Sequence, residues 1–345
     1  MQPFSSQAGE SFRKRLIATA KGSHGAKDMS REEAQEALSF LMSAEAHPAQ
    51  VGAFLTAMRF KGARVEEMKG FLDAMEQQAS LISPRVEGLL NCNGPYDGRK
   101  KSLHLSLAAA IVVAAAGVPV VMHSNSGLPP KDGVTTALLL EALGIAACRE
   151  PRQVARDIEE KGFGHLHASR YLHGVERLKP IRQTLFYRSF LHACEVMLNP
   201  AAAPYSMIGA AHKGFLERFA RAAGERGERR VLAVQGLDGG DELPLRPVAA
   251  VEYADGKLTE RILDPVDYGL SQRQHQACES PEKTAQIVLQ TLRGEPGGLL
   301  DSVIYNAGVR LSLAGRVAQI GEGIELARGT IESGAAAKKL ERLRC

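Results

Sequence analysis

Three carboxylates fall within five residues in the segment Gln235-Gly236-Leu237-Asp238-Gly239-Gly240-Asp241-Glu242, with two glycines between them. The segment directly follows the strand-like run Val231–Gly236. Oxygen donors of this type suit Mg²⁺, which keeps several of its waters and is commonly shared with substrate phosphates. The plain alternative is a solvated acidic turn. A second group lies in Asn91–Ser126. It opens with the loop Asn91-Cys92-Asn93-Gly94-Pro95-Tyr96-Asp97-Gly98, followed by Arg99, Lys100 and Lys101. Free backbone N–H groups at a loop and at a helix start attract anions, and the three cations would add to that pull. An ordinary turn with solvated cations fits the same residues. The stretch closes on a polar tip, His123-Ser124-Asn125-Ser126, at the carboxyl end of a strand, where open α/β sheets place ligands.

Two weaker groups complete the chemistry. Lys179, Arg182 and Arg188 lie along an amphipathic helical segment and could hold a carboxylate, or simply face water. His165 and His167 share one strand face, with His173 nearby. No carboxylate or cysteine completes a ligand set beside them, so structural or exposed imidazoles are expected.

These residues need elements to position them, and 345 residues suffice for one large domain or two smaller ones. The net charge of +4 permits an anionic ligand without demanding nucleic acid. Tryptophan is absent and aromatics make up 5 %, so base-stacking platforms would have little material. The five cysteines, at 92, 148, 194, 278 and 345, show no CxxC spacing and are odd in number. A reducing, cytoplasmic setting without a disulfide framework is expected. The start lacks the pattern of a signal peptide. The longest apolar run, Leu105–Val121, holds Gly117 and Pro119 and reads as a helix plus a strand, not a membrane span.

Residues 1–80 read as all-helical after an irregular start of about ten residues. Helices are expected over Phe12–Ala20, from the capping box Ser30-Arg31-Glu32-Glu33, from His47-Pro48, and over Val65–Gln78. From Glu87 the pattern alternates. Strands are expected at Val118–His123, Gly164–Ala168, Val231–Gly236 and Ala249–Tyr253. Helices are expected at Ser102–Ala116, Val134–Leu143, Pro151–Lys161, Ile181–Leu198 and Ala210–Arg226. Asp255-Gly256 predicts a type I′ hairpin, and the tail from Lys283 is helical. The fold class is therefore α/β with a separate small all-α domain, its central sheet mainly parallel and flanked by helices.

Four stretches together resemble the anthranilate phosphoribosyltransferase family. They are Ala49–Arg59 with Lys61-Gly62, Pro180–Pro200, the loop Gly236–Glu242, which is similar to the family's HGxDGLDE, and Gly321–Ala327. The resemblance runs from Phe12 to Leu343. It implies a helical domain of residues 1–80 with part of 179–200, an α/β domain of residues 81–345, a cleft between them, and a homodimer made through the helical domain.

The resemblance also implies roles. Gly94, Asp97, Gly98, Arg99, Lys101, Ser106, His123 and Asn125 would face a phosphorylated donor. Ser106, Asp241 and Glu242 would bind Mg²⁺. Arg182 and His173 would face the acceptor. The chain departs from the family at several of these places. The family's GTGGD is Asn93-Gly94-Pro95-Tyr96-Asp97 here, and Pro95 lacks an N–H donor. Its NIST is His104-Leu105-Ser106-Leu107, its KHGNR is Met122-His123-Ser124-Asn125-Ser126, and the acceptor-side histidine falls at Leu172. Two readings follow. The first is a Mg²⁺-dependent glycosyl- or phosphoribosyltransferase acting on a small phosphorylated donor and an acceptor other than anthranilate. The second is a non-catalytic member of the same fold that binds nucleic acid.

Overall fold

The amino-terminal helices begin where capping side chains place them. The computed structural model describes residues 6–22, 25–271, 277, 280–295 and 298–345, so Cys278 and residues 1–5 of the expected irregular start lie outside it. Helix α1 is Gln7–Thr19, longer than expected, because the Ser6 side chain accepts a hydrogen bond from the Gly9 amide. The predicted capping box opens α2, Arg31–Leu41: Ser30 Oγ accepts from the Glu33 amide and Glu33 accepts from the Ser30 amide. His47 caps α3, Pro48–Lys61, and α4 is Val65–Gln77. Helices α2 and α4 touch at Gly70, where a β-carbon would sit 2.0 Å from the Arg31 carbonyl oxygen.

The remainder is the expected alternation. Strands are β1 Leu90–Cys92, β2 Val120–Ser124, β3 Phe163–His167, β4 Tyr205–Gly209, β5 Arg230–Val234, β6 Val248–Ala254 and β7 Lys257–Leu263. Helices are α5 Ser106–Ala115, α6 Thr136–Ala142, α7 Pro151–Lys161, α8 Ala168–Tyr171, α9 His173–Glu176, α10 Lys179–Leu185, α11 Phe190–Met197 and α12 Leu216–Gly224, then α13 Pro281–Leu292, α14 Gly298–Leu313, α15 Ile320–Glu332 and α16 Ala335–Arg344. The strands form one seven-stranded sheet in the order β3-β2-β1-β4-β5-β6-β7, parallel from β3 to β5 and antiparallel beyond. The β6–β7 turn is the predicted hairpin, with Asp255 at φ 50° and Gly256 at φ 75°.

Three expected helices change. The helix expected from Ser102 begins at Ser106, because the polar groups before it are bound elsewhere: Ser102 Oγ by Asp238, His104 Nε2 by Thr136, and the Leu105 amide by Glu242. The single helix expected over Ile181–Leu198 is two, α10 and α11. Phe186 takes a left-handed conformation at φ 55°. Three partners hold the break: Thr56 on the Tyr187 hydroxyl, Arg59 on the Arg188 carbonyl, and Asp97 on the Arg188 guanidinium. Ala210–Arg226 holds the short turn Lys213–Phe215 before α12. Strands β1 and β4 lacked a usable signal.

Helices α10 and α11 pack on α3 and α4. Phe190 of α11 joins the helical core, its ring centroid 4.2 Å from that of Phe71 and 6.0 Å from that of Phe54. On the other side of the sheet α5 is buried all round, under α14 and α16, which explains its uninterrupted apolar run.

Candidate functional site

Strand β1 lies between β2 and β4, and the chain leaves it in opposite directions across the sheet. This is the switch point at which open α/β sheets form a crevice beyond their carboxyl ends. The loop 93–105 follows β1, the tip 123–126 ends β2, and the loop 235–245 follows β5. The residues selected from the sequence therefore converge, and almost all of them are buried.

The acidic pair comes first. Asp241 and Glu242 are 0 % and 1 % exposed. Asp241 Oδ1 accepts from Ser106 Oγ at 2.8 Å, and Oδ2 lies 3.0 Å from Arg310 Nη2. Arg310 also donates to Ser106, 2.6 Å from Oγ and 3.0 Å from the carbonyl oxygen. Glu242 Oε2 accepts from the Leu105 amide at 2.9 Å and lies 3.0 Å from Arg99 Nη1. That amide belongs to the start of α5, so the anion-binding end of the helix is capped by the protein's own carboxylate. Burial pushes the Glu242 carboxyl above its ordinary value, while Arg99 and Arg310 pull it down. Asp241 raises the Arg310 guanidinium against the opposing effect of burial.

The β1 loop lies directly on this pair. A β-carbon on Gly94 would sit 2.3 Å from Asp241 Oδ1. Gly98, at φ 88°, packs on Gly133, and Arg99 pairs through its backbone with Val134. The Arg99 side chain is 0 % exposed; besides Glu242 it binds the Leu103 carbonyl, and its Nε and Nη2 have no hydrogen-bond acceptor. Asp97 meets Arg188, and Lys131 Nζ lies 3.8 Å from its Oδ1. Lys131 also donates to the Asp238 carbonyl, and burial pulls its ammonium down to about 8. Of the three loop cations only Lys100 and Lys101 are exposed.

The polar tip is bound inward. Asn93 donates to the Val196 and Leu198 carbonyls at 3.2 and 3.0 Å. His123 lies 3.2 Å from the Leu198 carbonyl through Nε2 and 2.8 Å from the Tyr171 hydroxyl through Nδ1. Burial holds its imidazole down to about 3. Asn125 donates to Glu176 at 2.5 Å and accepts from Lys179 at 3.1 Å. On the expected acceptor side, Arg182 is 2 % exposed and grips Glu195 with both terminal nitrogens, at 2.7 and 2.6 Å. The Tyr96 hydroxyl reaches the same carboxylate at 3.4 Å, and its ring lies 5.3 Å from the His123 ring. His173 is exposed on α9. His165 binds Ser124 and the Ala147 carbonyl, and His167 binds Ser126 and Ser169.

Two side chains that organise the site, Glu195 and Arg310, are absent from the sequence-based candidates. Each carried a signal: a lone charge inside an apolar helix, Leu191–Met197 or Val303–Leu313, has to find a buried partner. The donor set of Ser106, Asp241 and Glu242 is of the right type for Mg²⁺. Its oxygens nevertheless already hold two guanidinium groups, an amide and a hydroxyl, and Gly94 closes the space in front. The residues as arranged do not fit a bound Mg²⁺ and diphosphate.

Comparison with known proteins gives one consistent result. Residues 97–337 match the glycosyl transferase family α/β domain, and residues 16–79 match the helical bundle domain of the same family. The chain is 34 % identical over 319 residues to the anthranilate phosphoribosyltransferase of Thioalkalivibrio sulfidiphilus, covering 92 % of this chain and 94 % of that one. It is 35 % identical over 321 residues to that of Symbiobacterium thermophilum, covering 92 % and 94 %. Among solved structures, anthranilate phosphoribosyltransferase from Thermus thermophilus superposes with a TM-score of 0.84 at 30 % identity, covering 97 % of this chain and 98 % of that one. The Saccharomyces cerevisiae enzyme in complex with PRPP and Mg shares the fold, with a TM-score of 0.82 at 20 % identity over 98 % and 97 % of the two chains.

Proposed function

The chain belongs to the glycosyl transferase family that includes the anthranilate phosphoribosyltransferases, and on that premise we propose that it binds nucleic acid on this fold in place of transferring a phosphoribosyl group. The filled pocket carries the loss of transfer. Asp241 and Glu242, which by resemblance would hold Mg²⁺, are paired with Arg310 and Arg99. Arg182, which would face the acceptor, is neutralised by Glu195.

The rim of the crevice supplies the binding surface. Arg59, Lys100 and Lys101 are exposed, and Lys131, Lys179 and Arg188 lie half-buried beside them. Asp97, Glu176 and Asp238 offset only part of that charge. A cation-rich rim with few aromatics recognises phosphates rather than stacked bases, so binding is sequence-tolerant and salt-sensitive. The helical domain carries a homodimer contact in this reading, with Ile17, Phe60 and Phe186 exposed at 51 %, 77 % and 80 %. A cytoplasmic setting suits the exposed thiols of Cys148 and Cys345. No described helix is long and apolar enough to cross a membrane.

A second reading is favoured by the meeting of Ser106, Asp241 and Glu242 at one point, and by the relatives at 34–35 % identity. It is Mg²⁺-dependent phosphoribosyl transfer from a phosphorylated donor, and it requires Arg99 and Arg310 to leave the carboxylates. Isothermal titration with PRPP, with and without Mg²⁺, separates the two when paired with fluorescence anisotropy of single-stranded DNA and RNA. The proposal expects silence in the first and an affinity that falls steeply with salt in the second. Mg²⁺-dependent PRPP binding without oligonucleotide binding would reverse it.

A further inference from the structure

We infer that Arg310 is a tethered cation standing where a divalent ion would sit, and that removing its guanidinium opens the oxygens of Ser106 and Asp241 to a divalent metal. The inference rests on the filled-pocket reading above and concerns the cause of the filling.

The guanidinium touches the oxygens a hard cation would use. Its Nη2 lies 2.6 Å from Ser106 Oγ and 3.0 Å from Asp241 Oδ2, and Nη1 lies 3.0 Å from the Ser106 carbonyl. Ser106, Asp241 and Arg310 are all 0 % exposed. The contact with Asp241 Oδ2 is ionic, since that oxygen accepts no hydrogen bond, and Arg310 Nε donates none. A buried carboxylate oxygen with an unused lone pair, beside a guanidinium with an unused donor, is an imperfect pairing. The same oxygen is well suited to a small oxygen-seeking ion.

Charge decides between the occupants. Two carboxylates and two guanidinium groups give the cluster no formal charge, so a divalent ion added to it would bring two uncompensated positive charges into a buried site. Without Arg310 the carboxylates outnumber Arg99 by one, and the vacated volume opens onto the same oxygens. Attraction between unlike charges is much stronger there than in water, so the altered pocket draws a dication where the natural one offers it no net charge to offset the cost of burial.

The test uses the full-length protein and Mn²⁺, a paramagnetic ion with the same preference for oxygen ligands. Electron paramagnetic resonance should find no bound Mn²⁺ on the natural protein, and its melting temperature should not move with Mn²⁺. Arg310→Ala should take up about one Mn²⁺ per chain. Its melting temperature should rise by roughly 5 °C at a hundredfold excess over the dissociation constant. Arg310→Ala with Asp241→Asn should lose that uptake. If Arg310→Ala does not fold, Arg310→Gln carries the same expectation, since its shorter neutral side chain leaves Asp241 without its ionic partner. Folded Arg310→Ala or Arg310→Gln that takes up no Mn²⁺ overturns the inference. Unchanged oligonucleotide binding by the same variant would show that the functional reading survives. Stoichiometric Mn²⁺ on the natural protein, abolished by Asp241→Asn, overturns both.

Discussion

Arg182 and Glu195 face each other across the break between α10 and α11, Nη1 2.7 Å from Oε1 and Nη2 2.6 Å from Oε2. Parallel two-pronged pairing of this kind is the strongest form of the guanidinium–carboxylate contact. The pair is buried, and burial pushes the Glu195 carboxyl up while Arg182 pulls it down. Removing one partner strands the other charge. Glu195→Ala should therefore lower unfolding stability by about 3–5 kcal/mol, read by urea denaturation. A loss below about 1 kcal/mol would mean that Arg182 is free to serve a ligand.

The rim cations predict a graded effect on nucleic acid. Lys100→Glu with Lys101→Glu should weaken single-stranded oligonucleotide binding. It should also lower the slope of log affinity against log salt by about 1.4, at roughly 0.7 per lost phosphate contact. Both side chains are exposed, so folding should be unchanged. An unaltered slope would place the binding surface elsewhere.

Phe60 and Phe186 are exposed at 77 % and 80 % on α3 and at the end of α10, which pack together. Exposed apolar groups of this size on neighbouring helices mark an association surface. Size-exclusion chromatography with light scattering should give a dimer at micromolar concentration and a monomer for Phe60→Glu with Phe186→Glu. A monomeric parent would remove the dimer from the proposal.

Acid should destabilise the protein below the ordinary histidine range. Burial holds the imidazoles of His123 and His165 down to about 3 and about 4. The unfolded chain takes up protons below about pH 6.5, so the stability these neutral rings contribute is full above that value. It is lost as pH falls toward their folded values, by about 2 kcal/mol per ring at pH 5. Glu228 acts with the opposite sign: burial raises it to about 7. Its contribution is full below the ordinary carboxyl value and lost as pH rises through 7, so it offsets about one imidazole. His104, His167 and His192 lie on the same side as His123 and His165, and Glu76, Glu195 and Glu242 on that of Glu228. The imidazoles are the more numerous and protonate in the unfolded chain within the range from pH 7 to 5, so the sum favours loss on acidification. Calorimetric melting temperatures at pH 7, 6 and 5 should fall in that order, and less steeply for His165→Asn. A rise toward pH 5 would contradict the assignment.

The sequence by itself determined the elements and their class. Capping at Ser30 and His47, alternation after Glu87 and the Asp255-Gly256 turn are local signals, and each forms from residues within a few positions of one another. It also put residues 123–126 and 235–245 at the ends of strands in a mainly parallel sheet, whereas β1, the strand that brings the loop 93–105 to them, carried no usable signal. What occupies the meeting point was decided only in three dimensions. The partners of the expected ligand-facing groups come from far along the chain: Arg310 reaches Ser106 across 204 positions, and Leu105 reaches Glu242 across 137. Spacing within a loop carries no trace of such a partner. The same distance effect ended the expected Ile181–Leu198 helix, where Thr56, Arg59 and Asp97 hold residues 187–188 out of helical register. A carboxylate pair on a glycine-rich loop looks the same in sequence whether it waits for a metal ion or is already bound by the protein's own arginines. Burial and the identity of the neighbouring charge separate the two, and both belong to the tertiary structure.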